Sequence, residues 1–315
     1  MPDSHPMIEL RCLHRYFDQT RAVDNVSFAV GRGQVFGYIG PNGAGKTTSM
    51  RILATLDLPT AGDAFVDGFS VVDDPDRVRR RLGFMPDYFG TYTNVNVREY
   101  LDFFARSYRL RGEKRTDAID RVMEFTGLDA LADKPTDGLS KGMKQRLCLG
   151  RALIHDPAVL VLDEPAAGLD PRARIQLRQM IRTLADQGKT VLISSHILTE
   201  LAEICDTVGI IEQGRLLAVG SVEAIQSPEQ KLQNTVEVRV LDRVDALGEW
   251  LARRTDVTNL HVDGDSVRFF HVGDQEAAAR LLRAIIEAEF QVTAFGSRRR
   301  SLEDVFMQVT EGLVQ

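Results

Sequence analysis

The chain has 315 residues, 43% of them hydrophobic and 27% charged, and a formal net charge of −6; this suits one large or two ordinary globular domains and lacks the basic excess of a nucleic-acid binder. No apolar run approaches the roughly 18–20 residues needed to cross a bilayer. The N-terminus Met1-Pro2-Asp3-Ser4-His5 has no basic-then-apolar leader pattern, so a chain that stays in the cytoplasm and does not itself span a membrane is expected.

In chain order, residues 8–13 alternate apolar and polar, followed by Tyr16-Phe17 and a second strand pattern at 23–30. Together they predict a small antiparallel sheet. Tyr16 has two readings, a half-buried aromatic or a ring stacked on a base. The apolar run 34–39 is bounded by glycines and predicts a buried strand. It leads into Gly40-Pro41-Asn42-Gly43-Ala44-Gly45-Lys46-Thr47, which fits G-x-x-x-x-G-K-[ST]. Residues 47–53 then contain no Gly or Pro and predict a helix. Strand, glycine loop and helix make a phosphate site, because the free N–H groups and partial positive charge of a helix N-terminus suit an anion. Lys46 would reach the β- and γ-phosphates and the Thr47 hydroxyl would ligate Mg²⁺.

A turn at 59–63 and a hairpin strand at 64–68 follow, then a basic helix opened by Pro75, whose arginines read as a solvated face. Residues 82–86 predict a short buried strand. Residues 87–150 change character to mainly helical. Asn96 with Glu99 reads as a capping box, Thr116 opens a second helix that Gly127 closes, and Ser140 opens a third. The five apolar residues 158–162 predict a central strand covered on both faces, ending in Asp163 and Glu164. A helix at 172–184, a strand at 190–195 ending at His196, and a hairpin around Gly214 complete an α/β core with a parallel sheet.

The composition shifts at 226–230, read as a linker, which places a first domain at 1–228 and a second at 235–315. The second has the order β-α-β-β-α-β of a ferredoxin-like split βαβ and ends on a helix opened by Ser301 with Asp304. The cysteines Cys12, Cys148 and Cys205 form no C-x-x-C pair and read as small buried thiols.

Two further features narrow the function. Asp163 ends a buried strand, where an acid holds Mg²⁺, and Glu164 beside it is suited to orient and deprotonate an attacking water. Leu139-Ser140-Lys141-Gly142-Met143 resembles the signature of the ATP-binding-cassette (ABC) family. That resemblance covers about residues 7–225. It implies an ABC ATPase core, a P-loop parallel sheet with an antiparallel β subdomain and a helical insertion at about 87–150. It also implies ATP and Mg²⁺ as cofactors and resolves Tyr16 toward the adenine. The nucleotide-binding set would be Tyr16, Gly40, Pro41, Asn42, Gly43, Ala44, Gly45, Lys46, Thr47, Thr48, Asp87, Ser140, Gly142 and Asp170. Thr47, Asp87 and Asp163 would hold the metal, and Glu164, His196 and Lys46 would be catalytic. Residues 167–170 match the D-loop and His196 the switch histidine. Two positions depart from the family pattern: Lys141 replaces the first signature glycine, and Asp87 stands where Gln is usual. Slower hydrolysis or altered coupling is expected from Asp87.

In this family the signature of one subunit closes over the phosphate loop of another, which implies a second cassette, with a homodimer the simplest form. A separate membrane permease is implied as well, received near residues 87–104, where six aromatics fall in 18 residues. The C-terminal Leu302-Glu303-Asp304-Val305-Phe306 resembles the ending of drug-resistance and ABC-2 exporter ATPases. The expected function is therefore the ATPase subunit of an exporter, on the cytoplasmic face of the membrane and without nucleic acid. An importer ATPase and a soluble cassette machine are the alternatives.

Overall fold

The computed structural model describes residues 5–88, 90, 94–196, 201, 203–221 and 233–299. Residues Met1–Ser221 and Val222–Gln315 form two compact units, each with its own apolar core. The anticipated linker at 226–230, the aromatics Phe89 and Tyr92, and the terminal helix from Ser301 lie outside the described residues.

The first unit comprises, in chain order, β1 (Ile8–Phe17), β2 (Thr20–Val30), β3 (Val35–Ile39), α1 (Lys46–Leu53), β4 (Ala61–Val66), β5 (Phe69–Ser70), α2 (Pro75–Arg81), β6 (Leu82–Met85), α3 (Val97–Ser107), α4 (Gly112–Thr126), α5 (Lys141–Leu153), β7 (Val159–Leu162), α6 (Pro171–Asp186), β8 (Thr190–Ser195), β9 (Thr207–Glu212) and β10 (Arg215–Ser221). Its main sheet has the order β10-β9-β3-β8-β7-β6. All neighbours are parallel except the edge pair β9–β10. Every residue of β3, β7 and β8 is buried, as expected of strands covered on both faces. A second, antiparallel sheet of order β2-β1-β4-β5 packs through the same core.

The register of the parallel strands decides where the chemistry sits. Ile39 pairs with Ser195, Leu162 with Ile193, and Met85 with Leu162. The carboxyl ends of β3, β8, β7 and β6 therefore lie side by side, and the residues just beyond them gather at one edge, the usual ligand position in open parallel sheets.

Local signals behave as their chemistry predicts. Asn96 accepts from the Glu99 amide while the Glu99 side chain bonds the Asn96 amide, a complete capping box opening α3. Gly127 ends α4 with φ 59°, the left-handed conformation that glycine takes at least cost. Three readings are corrected. The helix assigned to start at Thr116 begins at Gly112, after the extended residue Arg111; Thr116 falls within it and caps nothing. Residues 8–13 extend into a strand that runs to Phe17 and includes Tyr16. Cys148 and Cys205 are buried, but Cys12 is exposed. The register shifts between Leu10 and Leu13, and Cys12 adopts φ 45°, so the bulge turns its side chain outward.

The second unit contains β11 (Gln233–Val240), α7 (Val244–Ala252), β12 (Val257–Asp263), β13 (Ser266–Val272), α8 (Gln275–Glu287) and β14 (Val292–Arg299). The strands form one antiparallel sheet of order β12-β13-β11-β14, the arrangement of a ferredoxin-like split βαβ. Val236, Val238 and Val240, at period two, join Phe269 in a core with Leu247, Leu251, Leu281 and Ile285 from the helices.

Candidate functional site

The loop between β3 and α1 is shaped by two glycines, Gly40 and Gly45, that no other residue can replace without a clash. A Cβ on Gly40 would lie 2.2 Å from the Ile211 carbonyl oxygen, and one on Gly45 2.2 Å from that of Ala22. Gly45 also has φ 103°, at the N-terminus of α1. Gly43, at φ 82°, would meet nothing within 4 Å, so one side of the loop is packed and its tip is open. The loop Gly40, Pro41, Asn42, Gly43, Ala44, Gly45, Lys46, Thr47 and Thr48 thus runs into a helix start, where free backbone N–H groups (none from Pro41, which only accepts, here from the Ala44 amide at 3.2 Å) favour an anion.

Lys46 is buried, and its Nζ donates to the carbonyls of Gly40 at 2.6 Å and Pro41 at 3.1 Å. Glu164 Oε1 lies 3.5 Å from the same ammonium. The other oxygen, Oε2, accepts from His196 Nδ1 at 2.8 Å. Glu164 is held at φ 45°, a left-handed conformation that costs a non-glycine residue about 1–3 kcal/mol and clusters at functional sites. The Glu164 amide donates to Ser194 Oγ at 2.8 Å, and that hydroxyl donates to Asp163 Oδ1 at 2.6 Å. Ser194, on β8, therefore holds the Asp163 carboxylate and the Glu164 main chain just beyond β7.

Asp163 is fully buried. Burial pushes its carboxyl up, the hydroxyls of Ser194 and Thr47 pull it down, and the charges of Asp87 and Glu164 push it up again. Its Oδ2 and the Oε1 of Glu164 have no hydrogen-bond partner. A buried carboxylate oxygen without a donor is costly, and a bound cation would supply what is missing. Among the described residues no group of three or more His, Cys, Asp or Glu is arranged to hold a metal. The donor set here is a hydroxyl with one or two carboxylates, which fits Mg²⁺ sharing substrate phosphates. Asp87 is exposed just beyond β6 and accepts from the Tyr88 amide at 2.7 Å.

Tyr16 is half-buried at the end of β1, with its hydroxyl donated to Asp24 Oδ1 at 3.1 Å. Ser140 caps α5 by accepting from the Met143 amide at 3.4 Å, and Asp170 caps α6 by accepting from Ala173 at 2.9 Å. The first turns of α5 and α6 touch: a Cβ on Gly142 would lie 3.3 Å from that of Ala173. Ser140, Gly142 and Asp170 are thus one grouping, and Lys141 belongs to it, with its ammonium against Gly168. Among the described residues no hydrogen bond or ion pair joins Ser140, Lys141 or Gly142 to residues 40–47.

A family model described as ABC transporter matches residues 23–167, and one described as the C-terminal domain of DrrA1-3-like ATP-binding proteins matches residues 220–310. The Nod factor export ATP-binding protein I of Ralstonia nicotianae is 34% identical over 308 residues, 98% of this chain and 94% of that protein. The chain belongs to the family of ABC transporter ATP-binding proteins. The probable multidrug ABC transporter ATP-binding protein YbhF of Escherichia coli is 39% identical over 221 residues, 70% of this cassette chain but 38% of YbhF. The chain thus matches little more than a third of that relative's length. Among solved structures, MJ0796, described as a dimeric bacterial ABC transporter cassette, superposes with a TM-score of 0.63 at 25% identity, covering 68% of this chain and 98% of that one.

Two residues of the cassette site were not anticipated from the sequence. Ser194 carried only the weak signal of a hydroxyl near the end of a buried strand, two residues before His196. Asp24 carried none, since a lone acid in a strand pattern has no motif around it.

Proposed function

We propose that this chain is the ATP-hydrolysing subunit of an ABC-2-type exporter, driving a separate membrane permease by ATP-dependent pairing of two cassettes. The observation that carries the reading is the Glu164 carboxylate, held in a strained backbone conformation between the Lys46 ammonium at 3.5 Å and the His196 imidazole at 2.8 Å. A carboxylate so placed accepts the proton of a water attacking the γ-phosphate. His196 orients it and contacts the γ-phosphate, and Lys46 with the loop amides receives charge from the β- and γ-phosphates. Tyr16 takes the adenine. Thr47, Asp163 and Asp87 would hold Mg²⁺, whose chemistry is to neutralise phosphate charge; the unpartnered Asp163 Oδ2 supports this set.

The separate grouping of Ser140, Gly142 and Asp170 supports a second copy of the chain, head to tail, with each signature facing the partner's loop. An apolar cleft of about 400 Å³, lined by Leu56, Phe84, Phe104, Tyr108, Arg79 and Arg151, supports permease docking next to residues 87–104. Tyr88 and Phe103 there are 81% and 56% exposed. Among the described residues no helix is long and apolar enough to cross a membrane; a peripheral position on the cytoplasmic face belongs to the permease reading. The relatives named for multidrug and Nod factor export support the outward direction.

The test is phosphate release by the chain reconstituted with its permease in vesicles. Turnover is expected to need Mg²⁺ and to fall by about 10²–10⁴-fold in Glu164→Gln, with ATP binding retained. Unchanged turnover in that variant, or cargo accumulating on the cassette side, would overturn the reading.

A further inference from the structure

Asp24 sits on β2, is 8% exposed, and belongs to none of the motifs above. Its side chain has two distinct tasks. Oδ1 accepts from the Tyr16 hydroxyl at 3.1 Å, while Oδ2 accepts from Arg215 Nε at 3.0 Å and Nη2 at 2.8 Å. His14 Nδ1 adds a contact of 2.8 Å to the same phenol oxygen, and the Arg21 guanidinium stands over the Tyr16 ring, 5.6 Å from its centroid. A carboxylate this buried is tolerated because an arginine and a hydroxyl satisfy it.

The main chain of Asp24 is tied to the other end of the site. Its amide donates to the Gly214 carbonyl at 2.8 Å, and the Gly214 amide donates to the carbonyl of Ala44, inside the phosphate loop, at 3.0 Å. The intervening space is closed: a Cβ on Gly214 would lie 2.8 Å from the Arg21 carbonyl oxygen, and one on Gly45 2.2 Å from that of Ala22. One residue therefore touches the Tyr16 ring through its carboxylate and reaches the phosphate loop through two backbone hydrogen bonds.

We propose that Asp24 is a positioning residue for the nucleotide base, fixing the Tyr16 ring at a set distance and tilt from the phosphate loop through the Tyr16 hydroxyl. This rests on the reading that Tyr16 receives the adenine. A phenol anchored at its hydroxyl has already lost the rotational freedom that a free aromatic side chain surrenders on binding, so a ligand that spans both ends binds more tightly. A ligand with phosphates but no base gains nothing from that anchoring.

The test compares equilibrium binding of ATP and of inorganic triphosphate, each with Mg²⁺, to the full chain and to Tyr16→Ala, Tyr16→Phe and Asp24→Ala. Tyr16→Phe keeps the ring and removes the hydroxyl, with its bond to Asp24 and its contact with His14. Tyr16→Phe and Asp24→Ala are each expected to weaken ATP by about tenfold, the worth of a hydrogen bond to a charged group, and to leave triphosphate unchanged. The double variant is expected to be no weaker than the worse single one, because both changes cut one link. Equal weakening of both ligands by Asp24→Ala would show that it acts through the loop, and additive losses would show two independent roles; either overturns the proposal. If Tyr16→Ala weakens ATP while Tyr16→Phe does not, the anchor is irrelevant and the proposal alone fails. If Tyr16→Ala leaves ATP binding intact, the adenine reading fails and the proposal with it. Should Asp24→Ala not fold, the Tyr16→Phe measurement decides.

Discussion

Asp163 shows how the demands of folding and of ligand binding oppose each other at a single residue. Burial and the neighbouring charges of Glu164 and Asp87 push its carboxyl above the ordinary range, so the charged form is disfavoured in the folded protein relative to the unfolded chain. Such a group costs stability at neutral pH, and the cost is relieved as pH falls and the carboxyl takes up its proton. Asp163→Asn is therefore expected to raise the melting temperature of the nucleotide-free protein while abolishing the Mg²⁺ dependence of ATP binding, measured by thermal unfolding and by titration with and without a chelator. A fall in melting temperature would show that the carboxylate is compensated by something other than a cation. Lys141 is the unusual residue of the signature: its cation sits in the first turn of α5, which has no acid, against the helix dipole. Among the described residues no hydrogen bond or ion pair offsets that placement.

At the scale of elements, His155 locks three pieces together. Its ring stacks on Tyr108, just beyond α3, at 3.7 Å between centroids and 5° between planes. Its Nε2 donates to the Leu82 carbonyl at the start of β6, 3.2 Å away, and the residue itself follows α5. Burial lowers its pKa to about 4, against an ordinary value of about 6.5. The folded protein holds it neutral where the unfolded chain would protonate it. Its contribution is thus complete above about pH 6.5 and is lost as pH falls toward about 4, on the order of 3 kcal/mol in all. Denaturant unfolding from pH 7 to pH 4 is expected to show this loss in the native chain, and His155→Phe, which keeps the stack, is expected to flatten the curve. An unchanged slope would assign the acid sensitivity elsewhere. The cleft that Tyr108 helps to line lies beside the predicted docking segment, so the contact that steadies α3 against the sheet also shapes the surface proposed above for docking.

At the scale of the whole molecule, the two units have separate cores and the proposed catalytic groups all lie in the first. A chain ending after Ser221 is expected to fold and to bind Mg²⁺–ATP with an affinity within about threefold of the full chain, since a domain with its own core is in principle self-sufficient. Circular dichroism on heating, together with ATP titration, checks this; an unfolded or ATP-inert fragment would show that the second unit completes the first.

What was legible in the sequence was local. The loop from Gly40 to Thr47, the Asn96–Glu99 cap, the acids after the apolar strand and the order of β-α-β-β-α-β are carried by spacings of a few residues. Such spacings act through backbone conformation and period, which neighbours in the chain largely determine. Boundaries were less legible: nothing near Thr116 signals that its helix starts at Gly112, because tertiary packing sets helix ends where no cap does. What only the tertiary structure decided is juxtaposition. Glu164 meets Lys46 and His196, and Ser194 holds Asp163, because parallel register aligns strand ends that are 30 to 120 residues apart in the chain. Asp24 reaches the phosphate loop through Gly214, 190 residues away, and a pairing over that separation leaves no periodic trace for a sequence to display.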